Sequence, residues 1–140
     1  LTRQQFMLAM NKKALDMGLT HSYFVEPTGL NERNVSTATE LAEIAKLAFS
    51  NMDILQATTT MWYQVEPVNN DLSYWVRNTS KKVLERDLYV TGTKTGWTDE
   101  AGYCLVSQAK VADRELIALV MGAKIRQNYE EVYYLLKKYL

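Results

Sequence analysis

The sequence is short of the residue types on which much enzyme chemistry depends. It has one cysteine, Cys104, and one histidine, His21. A lone cysteine excludes an intramolecular disulfide and a cysteine-based metal site, and Cys104 reads as a small buried residue on a strand. His21 lies in a loop with no serine or cysteine motif beside it, which gives a histidine-assisted triad little support. Sixteen basic residues cancel sixteen acidic ones, so the chain lacks the positive field that neutralises phosphates, and nucleic acid is not expected as a partner. The longest apolar run, Leu116 to Ala123 ("LIALVMGA"), falls far below the roughly 18 residues of a membrane-spanning helix. No glycine loop suited to phosphate and no zinc-ligand spacing occurs, so neither a cofactor nor a metal is expected. Repeats, low-complexity tracts and linkers are absent as well.

What is present suffices for one compact domain: 140 residues with 47% hydrophobic content can bury a usable core. A start at Leu1, inside a helix-like pattern and without Met, points to an N-terminus made by truncation or processing. Phe6, Met10 and Ala14 recur at four-residue spacing and predict an amphipathic helix over residues 3 to 17, ended by Gly18. "THSYFVEPTGLNERNV" reads as an irregular connection. Thr37 and Glu40 have capping-box spacing ahead of a helix that buries Leu41, Ile44, Ala45 and Ala48. From Thr58 the period changes. "TTTMWYQVE" and "LSYWVRN", joined by "PVNND", predict a hairpin or a pair of short strands. Three further strands are expected near residues 88 to 96, 102 to 111 and 114 to 123, with connections short enough for antiparallel neighbours. Tyr129, Val132, Tyr133, Leu136 and Leu140 share one side of a last helix, with Lys137 and Lys138 in its final turn. The fold class is α+β, an antiparallel sheet with flanking helices: residues 1–57 mainly helical, 58–123 mainly strands, 124–140 a C-terminal helix that packs on the sheet.

Within the third predicted strand stands Lys94-Thr95-Gly96. Alternation along a strand sends Lys94 and Thr95 to opposite faces, so both serve one ligand only if it lies along the strand's edge. Such an edge accepts an extended peptide by main-chain pairing, and Gly96 lets that peptide approach the backbone closely. The Lys94 ammonium would favour the anionic form of a neighbouring nucleophile or base, and the Thr95 hydroxyl can bond a substrate carboxylate. A lysine on an edge strand also guards against edge-to-edge aggregation, so the tripeptide alone leaves a structural reading open.

The wider wording, "TGTKTGWTDEAGYCLV" with "FVEPTGLNERNVSTATEL" and "RNTSKKV", resembles the low-molecular-mass penicillin-binding proteins, the serine D-alanyl-D-alanine carboxypeptidases and endopeptidases of bacterial wall maintenance. The likeness runs over nearly the whole chain. "FVEPTGL", "NVSTA" and "KTGWTDEAGYCLV" look closest to the endopeptidase branch. It implies the C-terminal part of a penicillin-binding-protein/β-lactamase-like transpeptidase fold, a partial domain over residues 1–140. It further implies that Lys94 assists proton movement, that Thr95 binds the terminal D-Ala carboxylate and that Gly96 keeps the edge open, with Arg77 a second candidate for that carboxylate. The implied partners are peptidoglycan stem peptides ending in or cross-linked through D-Ala, and β-lactams, in the periplasm or at the cell surface.

The motif set of this enzyme class includes an S-x-x-K nucleophile and an S-x-N serine ahead of the K-T-G, and neither occurs here in the expected order. Ser107 to Lys110 ("SQAK") has the letters but sits in a predicted strand, where residues three apart face opposite ways and the lysine would not reach its serine. Asp99 and Glu100 read as solvated turn residues rather than an acid/base pair. The nucleophile is therefore expected on polypeptide outside these residues: the missing N-terminal half, or a swapped copy as partner. An exposed apolar surface should mark its place. The alternative is a non-catalytic module that keeps the docking edge for peptidoglycan peptides or a protein.

Overall fold

The structure, a computed structural model, describes residues 1–69 and 72–140. The chain opens with helix α1 (Arg3–Asp16), whose Thr2 and Gln5 form a reciprocal capping box; Gly18 follows in the left-handed region at φ 76°. The loop from Thr20 to Ser36 is closed by a single antiparallel bridge, Tyr23 to Val35. Helix α2 (Ala38–Ala48) starts where Thr37 Oγ1 accepts from Glu40 N at 3.2 Å. The return bond of a capping box is not made, because the Glu40 carboxylate turns instead to the backbone N of His21 and to Ser22 Oγ.

Helix α3 (Met52–Thr59) corrects the expectation of a strand beginning at Thr58. Asn51 Oδ1 caps it through Asp53 N and Ile54 N, and Thr59 Oγ1 bonds back to Leu55 O at 2.7 Å. Bonding to the carbonyl one turn earlier lets a β-branched residue remain helical. Strands β1 (Trp62–Val65) and β2 (Tyr74–Arg77) pair antiparallel as their own two-stranded ribbon. Part of the predicted "PVNND" connection, Asn70 and Asp71, lies outside the described residues. A single-turn helix, α4 (Lys81–Leu84), interrupts the region expected to be strand and delivers Val83, 2% exposed, to the core.

Strands β3 (Val90–Thr98), β4 (Gly102–Val111) and β5 (Arg114–Ala123) form one antiparallel sheet in the order β3-β4-β5. Alternation divides its faces. Leu105, Ala109 and Ala118 meet Val132 and Leu136 of helix α5 (Gln127–Tyr139), a wholly buried cluster. The C-terminal end of α5 is tied down by Arg114, which donates to the Tyr139 and Leu140 carbonyls at 2.6 and 2.8 Å. Asp87 accepts from Tyr133 Oη at 2.6 Å and Lys137 Nζ at 2.7 Å. The other face carries Gly92, Val106 and Leu119 toward α2 and α3. The Gly92 Cα lies so close to the buried Phe49 ring that an added Cβ would sit 2.6 Å from Phe49 Cδ1. Helices on both faces of the central strands make a three-layer arrangement. Cys104, expected to be buried, is half-buried on β4.

The expected exposed apolar surface is present in one conspicuous place. Trp62, Tyr63, Tyr74, Trp75 and Val76 of the β1–β2 ribbon are all at least 46% exposed.

Candidate active site

Strand β3 is an edge. It pairs with β4 on one side, and among the described residues no strand or other backbone hydrogen bond occupies the opposite side between Gly92 and Thr98. The Lys94 side chain is exposed, and its ammonium donates to the neighbouring Thr95 carbonyl. Among the described residues neither Lys94 nor Arg77 is in an ion pair, although both border one cleft. Thr95 faces the other way and its hydroxyl lies 2.7 Å from Thr79 Oγ1. At Gly96 an added Cβ would meet only Cys104 Cβ, at an ordinary 3.8 Å. Nothing among the described residues requires a glycine there, in contrast to Gly92.

The cleft, about 810 Å³, runs between α3, the end of the β1–β2 ribbon, the Asn78–Ser80 turn and β3. Among the described residues its charged lining is Arg77 and Lys94 against one carboxylate, Asp53, a balance that suits an anionic ligand. The Arg77 guanidinium also stands 5.8 Å from the Trp62 ring centroid, so it is held by a cation–π contact rather than by a carboxylate. The fold thus brings Lys94 and Arg77, 17 positions apart in sequence, to one opening. The Asn78–Ser80 turn is pinned by Asn78, which donates to the Thr58 and Thr60 carbonyls at 2.9 and 3.0 Å and accepts from Ser80 N at 2.8 Å. Sequence reasoning stopped at Arg77 and missed Asn78 and Thr79. The available signal was a run of side chains able to bond a turn, directly after a strand.

The remaining candidates separate cleanly. Ser107 is fully buried and bonded to Thr93 Oγ1 at 2.8 Å, while Lys110, three residues along the same strand, is exposed. Asp99 and Glu100 are exposed in the β3–β4 turn. His21 Nδ1 meets Glu40 Oε1 at 2.9 Å, but the serine of that cluster, Ser22, bonds the carboxylate and not the imidazole, which is not the order of a nucleophilic relay. Among the described residues no three His, Cys, Asp or Glu side chains are grouped to hold a metal ion.

Glu26 was not foreseen as a buried group. It is 7% exposed, and its carboxylate accepts from Thr28 Oγ1, Thr28 N, Leu30 N, Asn31 N and Asn34 Nδ2. One carboxylate therefore organises the "EPTGLNERN" loop, whose Gly29 and Asn31 reach the turn after β3. The Thr28 hydroxyl and these backbone N–H groups hold its pKa at about 2, below the ordinary 4.5, against the opposing effect of burial. A depressed carboxyl pKa contributes stability that is complete above the unfolded value and is lost as pH falls from 4.5 toward 2. Following the thermal midpoint from neutral pH into this window, we expect Glu26→Gln to lose stability less steeply with acid than the unaltered chain. Parallel curves would contradict the assignment.

The three-layer α+β core matches part of a DD-transpeptidase fold. The crystal structure of the Streptomyces K15 DD-transpeptidase matches with a TM-score of 0.84 and 25% identity, over 97% of this chain and 53% of that one. A family model described as D-alanyl-D-alanine carboxypeptidase matches residues 2–125, and the chain belongs to that family. It is 37% identical over 123 residues to the D-alanyl-D-alanine carboxypeptidase DacF of Bacillus subtilis, covering 87% of this chain and 31% of the relative. It is 36% identical over 118 residues to the D-alanyl-D-alanine endopeptidase of Escherichia coli, covering 84% and 38%. The chain thus spans about a third of the length of these curated relatives, and both activities of the family stand at nearly the same identity.

Proposed function

We propose that the chain supplies the substrate-docking strand of a serine-type D-alanyl-D-alanine carboxypeptidase/endopeptidase acting on peptidoglycan peptides, and that the nucleophilic serine lies on polypeptide outside these 140 residues. The observation that carries this reading is the outer edge of β3, unpaired among the described residues, with the Lys94 ammonium in no ion pair with any described carboxylate, beside a cleft that also holds Arg77. A stem peptide adds to that edge as a further strand. Thr95 binds its terminal carboxylate, assisted by Arg77, and Gly96 leaves the backbone approachable. The serine attacks the penultimate D-Ala carbonyl, backbone N–H groups hold the oxyanion, and the amine of the terminal D-Ala departs with a proton. Lys94 favours the deprotonated state of the group that receives and returns that proton. Water then releases the acyl group. A β-lactam, whose carboxylate takes the same place, stops at the acyl stage. Such substrates place the protein outside the cytoplasmic membrane; among the described residues no helix is long and apolar enough to cross one.

A fluorescent penicillin should label the longer protein covalently and leave the isolated chain unlabelled. Covalent labelling of the isolated chain would put the nucleophile inside it. A longer protein that binds peptidoglycan peptides but is never acylated would instead be a binding module.

A further inference from the structure

Thr95 has one hydroxyl proton, and the structure gives that hydroxyl a single close partner among the described residues, Thr79 Oγ1 at 2.7 Å. Two hydroxyls at this distance share one proton between them, and either can be the donor. A carboxylate accepts only, so a ligand of that kind draws the Thr95 proton outward. The bond between the hydroxyls then survives only if Thr79 donates. The Thr79 hydroxyl is free to do so, because its carbonyl, not its side chain, takes the Tyr129 hydroxyl at 3.1 Å. That bond to α5 and the bonds of the Asn78 side chain fix the turn that aims Thr79 at Thr95.

We propose that Thr79 is a positioning residue which donates its proton to Thr95 and so commits the Thr95 proton to the α-carboxylate of the bound peptide. It acts through Thr95 and rests on the reading of β3 as the docking strand. A chain of donors ending on an anion is strengthened at each step, whereas a carboxamide can itself donate to Thr95 and has no need of Thr79. Thr79 therefore selects ligands with a free carboxylate over their amidated counterparts.

The test is binding of diacetyl-L-lysyl-D-alanyl-D-alanine, and of the same peptide ending in a carboxamide, to the 140-residue chain by nuclear magnetic resonance titration. Thr79→Val is expected to weaken the carboxylate peptide about fivefold and leave the carboxamide unchanged, with Thr79→Ser restoring the original affinity. In a Thr95→Val background the Thr79→Val change should have no further effect. Unchanged affinity in Thr79→Val, equal losses for both peptides, or failure of Thr79→Ser to rescue would overturn the proposal while leaving the docking strand in place. No binding of either peptide by the unaltered chain would overturn the docking strand, and this proposal with it.

Discussion

Replacing Lys94 with alanine in the longer protein is expected to slow acylation by a fluorescent penicillin about a thousandfold, the range spanned by losing a positioned proton-transfer or charge-stabilising group. Stability should barely change. The side chain is exposed, enters no ion pair among the described residues and makes its hydrogen bond to the adjacent Thr95 carbonyl, so removing it leaves no buried group unsatisfied. Lys94→Arg should recover only part of the rate. It keeps the charge but replaces a compact ammonium by a planar, longer fork that does not occupy the same point on the edge. The initial rate of covalent labelling checks both variants. An alanine variant within about tenfold of the original rate would remove Lys94 from the proton path and return it to the role of an edge-protecting lysine.

The second large effect separates two glycines four residues apart on the same strand. Gly92→Ala forces a methyl group to within 2.6 to 2.9 Å of three Phe49 ring atoms, and Phe49 is itself 5% exposed at the end of α2. The clash includes Phe49 Cγ at 2.8 Å, the root of the ring, so the whole side chain must shift, and overpacking of this kind costs about 3 kcal/mol. In a chain of this size that lowers the thermal midpoint by on the order of 10 °C. Gly96→Ala meets only Cys104 Cβ at 3.8 Å, so its midpoint should stay within about 2 °C of the original. Its effect belongs to binding, because the added methyl stands where a docked peptide approaches. Thermal unfolding of both variants, paired with peptide titration, reads the contrast. A destabilised Gly96→Ala chain would mean that this glycine serves the fold after all.

Where period and turn length act together, the sequence was legible. The inward side of α5 with its C-cap Leu140, the three long strands and their short turns all follow from residues that repeat with one period and bury one face. Helix α3 was misjudged because its C-terminal threonines favour strands in general, while here their hydroxyls bond back to carbonyls one turn earlier. Its start is capped by Asn51, a residue type favoured at that position, which the sequence reading did not use. Glu26 carried no signal at all, since a glutamate beside a proline in a turn-rich stretch reads as solvated. Only the folded loop directs several donors at one carboxylate. The site divides in the same way. Lys94, Thr95 and Gly96 stand together in sequence and one strand suffices to arrange them. Thr79 reaches Thr95 because Tyr129 of α5 and the Asn78 bonds to the Thr58 and Thr60 carbonyls hold the turn after β2 against β3.

The open edge of β3 is most directly tested by following the backbone amides of the unaltered chain as diacetyl-L-lysyl-D-alanyl-D-alanine is added. If the edge is a docking strand, the largest shifts and the greatest new protection from hydrogen exchange fall between Thr93 and Trp97, with a second set at Arg77 and Thr79. A response centred on another surface, with the β3 amides unmoved, would contradict it.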